Sequence, residues 1–214
     1  MTCPERSRGA RAVACLCLLL TNCVAMPIVV PPMQLQVGSG VRSLAAQTFD
    51  GVDVPAQVRV GIHPMALFPK LMQRRGDFGV GYLLDYGANA TLNGGYLEGT
   101  VNLLIHEMGG GYGRLGVRGH ARLIHADPNH VWGGSGALQL AWDYATFADA
   151  DFNNSNSDGG AFGHSYGEAG FGFFVEGAYL SAGTLHGWTA TAGITVRIPA
   201  AYGIAYAWAW TLIK

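Results

Sequence analysis

Cysteine is absent after position 23: all four, Cys3, Cys15, Cys17 and Cys23, lie at the very start of the chain. That removes a disulfide framework from everything that follows. Lysine occurs only at Lys70 and Lys214, and Asp, Glu, Lys and Arg together make 13% of the 214 residues, against roughly 25% in an ordinary soluble protein. Most of the chain is not dressed for water. The formal net charge of -1 supplies no field for a polyanion, which argues against nucleic acid as a partner. The apolar stretch from Ala12 to Leu20 is too short for a membrane-spanning helix, which needs about 20 residues.

What is present at the N-terminus is an export pattern. Arg6, Arg8 and Arg11 form a positive region, the short apolar stretch follows, and polar Thr21 and Asn22 close it. The segment Leu20-Thr21-Asn22-Cys23 resembles the lipobox of bacterial lipoproteins, whose closing Cys becomes the lipidated first residue. The resemblance implies a cleaved signal over 1–22 and lipid attachment at Cys23. Ordinary cleavage leaving a chain from Met26 is the alternative. Residues 23–56 carry Pro27, Pro31, Pro32 and Pro55 with Gly38, Gly40 and Gly51 and show no sustained period, so they read as a linker.

From residue 57 to 214 the period is two. On 114–123, Arg114, Gly116, Arg118, His120 and Arg122 alternate with Leu115, Val117, Gly119, Ala121 and Leu123, which is the pattern of a two-faced strand. Seven further segments repeat it, with apolar faces at Val58 to Ile62, Phe78 to Tyr86, Leu97 to Ile105, Leu138 to Tyr144, Phe171 to Tyr179, Trp188 to Val196 and Tyr202 to Trp210. Eight strands with apolar, aromatic outer faces and a small, mixed-charge inner face predict an all-β fold, an antiparallel up-and-down membrane barrel preceded by signal peptide and linker. With the N-terminus in the periplasm, the long connections Pro64 to Gly76 and Phe147 to Ala161, with Gly-rich His106 to Gly113, fall outside. Tyr86, Trp132, Tyr144, Trp188 and Trp210 suit interfacial girdles.

By this pattern the chain resembles small bacterial outer-membrane β-barrel proteins. The resemblance implies location in the bacterial outer membrane and contact with its lipids.

The chemistry is sparse. Arg114, Arg118 and Arg122, with His120 among them, point into the lumen, and neighbouring strands offer Glu98, Asp143, Glu168 and Glu176 on the same side. A buried salt-bridge plug is the expectation, because charges inside a narrow barrel are costly unless paired; an anion-lined pore is the alternative. His120 and His125 differ by an odd number and cannot jointly chelate one ion from a regular strand; satisfied polar histidines are the expectation, with a pair across strands, such as His106 with His120, as the alternative, and no metal or cofactor is assigned. In His164-Ser165-Tyr166-Gly167-Glu168 the Ser faces away from both partners, which breaks a catalytic triad. Asp149 to Gly160 departs from a calcium-loop pattern and reads as a solvated loop. Gly109, Gly110 and Gly111 read as loop backbone.

The expectation is a non-enzymatic barrel with a structural, adhesive or envelope-interaction role and a largely plugged polar lumen, meeting an envelope or extracellular partner through its outer loops. A narrow pore or small-solute carrier, a lipid-anchored lipocalin-like binding barrel, and an envelope lipid hydrolase are the alternatives.

Overall fold

The computed structural model describes residues 23–45, 50–71, 75–127, 130–156 and 159–208. The expected signal over 1–22 lies outside them. Eleven strands follow in order: β1 Cys23–Val30, β2 Met33–Ala45, β3 Asp50–Asp53, β4 Ala56–Ile62, β5 Gly76–Tyr86, β6 Thr91–Met108, β7 Gly111–Asp127, β8 Val131–Asn156, β9 Gly159–Ala182, β10 Leu185–Ile198 and β11 Ala200–Trp208. Two short 3-10 turns, Pro64–Leu67 and Pro69–Leu71, join β4 to β5.

Two compact units divide the chain. One comprises Val30–Asp149 and Tyr166–Ala200; the other comprises Met1–Val29, Ala150–Ser165 and Ala201–Lys214. The first is a closed ring of eight strands, β2, β4, β5, β6, β7, β8, β9 and β10, in which each pairs with the next and β10 returns to β2. An even number of antiparallel strands closes without leaving an edge. In the second unit, β1 neighbours β11, and β11 neighbours β9.

The ring differs from the expected one at both ends of the chain. The segment read as a linker supplies its first strand, because Gln34, Gln36, Arg42 and Leu44 are buried inward while Val37 and Val41 face out. Gly38 and Gly40 hide that alternation. They stand where β2 meets β10: a Cβ on Gly40 would lie 1.9 Å from the Ala190 carbonyl oxygen, and one on Gly38 would lie 2.9 Å from that of Ala192. These glycines permit close backbone approach and do not mark a flexible tether. The seam is long and regular, running from Met33↔Ile198 to Ala45↔His186. The expected eighth strand is correspondingly outside the ring: β11 alternates as predicted but joins β1 and β9 in the smaller unit.

Adding a strand in front reverses where the chain enters. Met33 and Ile198 are paired at the rim that also carries the β4–β5 connection and the β6–β7 turn. The strand ends joined by short connections, Tyr86 with Thr91, Asp127 with Val131 and Ala182 with Leu185, lie at the opposite rim. The first and last strand ends of the ring therefore share a rim with the β4–β5 connection.

Two connections are shorter than the sequence suggested. The expected loop 106–113 is mostly strand, with a turn at Gly109 and Gly110 alone, whose φ values of 57° and 80° are those of a two-residue hairpin favouring glycine. The expected solvated loop 149–160 is strand up to Asn156 and again from Gly159.

Candidate functional site in the barrel interior

The interior holds an apolar cluster and an ionic network, which meet around Arg42 at the short-turn rim. At the short-turn rim an apolar stopper is built from Leu44, Leu83, Leu92, Ile124, Leu180 and Leu185, with alanines and Tyr96 beside them. Each leucine or isoleucine lies within a few residues of a strand end, and at Leu83, Ile124 and Leu180 the outward neighbour is apolar too. The pairs Leu83-Leu84, Leu123-Ile124 and Tyr179-Leu180 are the signal for three of them in the sequence, and the expectation of a polar lumen plugged by salt bridges did not include an apolar part.

The remaining interior is ionic. Arg114, Arg118, His120 and Arg122 all face inward from β7 and are buried, as strict alternation requires. Arg114 Nη2 donates to Glu168 Oε2 at 2.9 Å. Arg118 is fully buried, pairs directly with Asp143, donates to Gln139 Oε1 at 3.1 Å and stands 3.7 Å from Glu98. His120 bridges two carboxylates, with Nε2 at 3.3 Å from Glu98 and Nδ1 at 3.2 Å from Glu176. Arg122 Nη2 donates to Glu176 Oε1 at 2.5 Å. All eight residues predicted for the lumen therefore fall within the ionic interior.

Three further arginines extend it. Arg59 pairs with Glu176 and donates to Gln36 at 3.0 Å, and its guanidinium lies over the Phe174 ring at 5.8 Å. Arg197 reaches Glu168 and Asp143 at 3.4 Å and Asp77 at 3.5 Å. Arg42, from the strand mistaken for linker, binds Asp53 at 2.7 Å and Asp85 at 2.9 Å. Among the described residues, six buried arginines share the interior with seven buried carboxylates. The near balance is what permits burial, since an unpaired charge there would be several kcal/mol more costly. Arg59 and Arg197 were legible as inward residues of their strands; Arg42 was hidden by Gly38 and Gly40.

The arrangement cross-links the wall from inside. His164 Nδ1 lies 2.9 Å from Asp151 Oδ1, whereas Glu168 is held by Arg114 and Arg197, so the stretch His164 to Glu168 divides its acid and its imidazole between different partners. Cys23, expected to carry lipid, opens β1.

No family model matches the chain. No curated protein matches it. Among solved structures, the crystal structure of Neisserial surface protein A (NspA) resembles it with a TM-score of 0.33 and 10% identity, over 77% of this chain and 96% of that one.

Proposed function

We propose that this protein is a bacterial outer-membrane barrel with a sealed interior and a structural or adhesive role, exported through residues 1–22 and anchored by lipid at Cys23. The observation that carries the reading is the inversion of polarity across the wall. Outside, Leu97, Leu138 and Phe173 are 63%, 68% and 55% exposed, in company with Val80, Tyr82, Leu140, Phe171, Val175 and Ile194. Inside are the buried charges. A continuous apolar surface of this kind is a liability in water and the normal state of a lipid-facing barrel wall.

The same interior disfavours the other readings. A pore needs arginines free to meet a passing anion, whereas these are spent on carboxylates, and the apolar stopper lies in series with them. A lipocalin needs an apolar cavity and a charged exterior. No catalytic chemistry is assigned. The rim that carries the β4–β5 connection is the face through which an envelope or extracellular partner would be met.

Single-channel recording on the purified barrel in planar bilayers tests the sealed reading. Folded protein, identified by its heat-modifiable gel mobility, is expected to give no steady conductance. Sustained channel steps from that species would make it a pore.

A further inference from the structure

Away from the lumen, three side chains of metal-binding type converge where β7 turns into β8. His125 and Asp127 are two apart on β7 and share its outward face. His130 follows with a φ of 51°, a left-handed conformation that side chains adopt uncommonly, His more than most. His130 Nδ1 lies 2.9 Å from Asp127 Oδ1, and His125 Nδ1 lies 3.8 Å from Asp127 Oδ2. One ligand atom from each of the three falls within 4.8 Å of the others.

We propose that this turn binds one divalent transition-metal ion of the zinc type, held by His125, Asp127 and His130. Two imidazole nitrogens and a carboxylate oxygen are a donor set for zinc and its neighbours, and a poor one for calcium or magnesium, which take oxygen ligands. In a tetrahedral site with bonds of about 2.0–2.1 Å, ligand atoms stand roughly 3.3 Å apart. The two imidazoles approach different oxygens of Asp127, at 2.9 and 3.8 Å, and one ligand atom from each residue lies within 4.8 Å of the others, so side-chain rotation draws the three onto one ion.

The setting favours an ion over a simple turn cap. An Asp127–His130 pair alone would tie the turn, yet His125 is brought to the same carboxylate from the strand. Its ring is braced by its cross-strand neighbour Trp132, 5.1 Å away, and is 5.6 Å from the His130 ring. His125 is largely covered at 20% side-chain exposure and His130 is open at 81%. One ligand is thereby fixed and the site stays open to solvent, with room for water in the remaining position. The spacing His-x-Asp-x-x-His is visible in the sequence. The parity of His125 with His120 does not bear on it, because the other ligands lie on its C-terminal side.

The test is Zn2+ titration of the full, untagged chain folded in detergent micelles, followed calorimetrically, with Co2+ substitution read in the visible spectrum. One ion per chain and a tetrahedral Co2+ band are expected. His125→Ala, His130→Ala and Asp127→Asn should each weaken binding by about tenfold or more while keeping the folded gel mobility, and His164→Ala should leave it unchanged. Absence of binding at millimolar Zn2+, or equal affinity in the wild type and the three ligand variants, would overturn the site.

Discussion

Glu176→Leu is expected to lower the unfolding free energy of the barrel by about 3–5 kcal/mol, the range for removing one member of a buried charge cluster. Glu176 receives Arg59 and Arg122 and stands 3.2 Å from His120 Nδ1. Leucine supplies volume without charge, leaving two guanidinium groups facing one another with no anion between them. For a protein whose stability is typically 5–15 kcal/mol, that is a large fraction. Urea unfolding of the reconstituted protein, read by heat-modifiable mobility, measures it. Arg118→Leu should cost less, because Arg197 lies 3.4 Å from Asp143 and His120 lies 3.3 Å from Glu98, so each carboxylate left behind keeps a neighbour. An unchanged midpoint in Glu176→Leu would mean that the network does not hold the wall together.

Arg42→Leu is the second large effect, again about 3–5 kcal/mol, and it has a local signature. Arg42 has no exposed surface, and its guanidinium joins Asp53, Asp85 and the Ala90 carbonyl oxygen, the last at 2.6 Å. Asp53 Oδ2 also accepts the Asn89 N–H at 3.1 Å. One side chain thus ties β2, β3, β5 and the 87–90 turn at the rim sealed by the leucines. Its loss should speed amide exchange in that turn as well as lower stability. Arg42→Leu combined with Asp85→Leu should recover part of the loss, since an ion pair replaced by apolar side chains is far less costly than one broken. Equal destabilisation in the single and double variants would show that Arg42 acts through packing of its stem alone.

The barrel was legible wherever a strand keeps an apolar face against a polar one, as in β5 to β10. It was illegible where a requirement of the seam overwrote that code. In β2 the residues Gly38-Ser39-Gly40 interrupt the alternation for a backbone reason, and the proline-rich surroundings completed the appearance of a linker. β11 shows the converse: Tyr202, Ile204 and Tyr206 alternate well, yet alternation states only that a strand is two-faced and leaves its neighbours open. The arginine ladder of β7 could be assigned inward from parity alone, and its acidic partners from parity on adjacent strands. Which acid meets which arginine depends on register, and register is fixed by turns such as Gly109-Gly110 and by the shift between Asn102 and Leu104. The apolar stopper was written as adjacent leucines and isoleucines near strand ends, a pattern that a strict period of two discards.

The measurement that bears most directly on a lipid-facing wall is quenching of Trp188 by lipids brominated along their acyl chains, in a variant with the other four tryptophans replaced by phenylalanine. Trp188 lies on the outer face of β10, 52% exposed and paired with Tyr179 and Ser43. Folded barrel in vesicles should show strong quenching that depends on bromine depth. Emission from folded protein that is the same in brominated and ordinary vesicles would contradict a wall turned toward lipid.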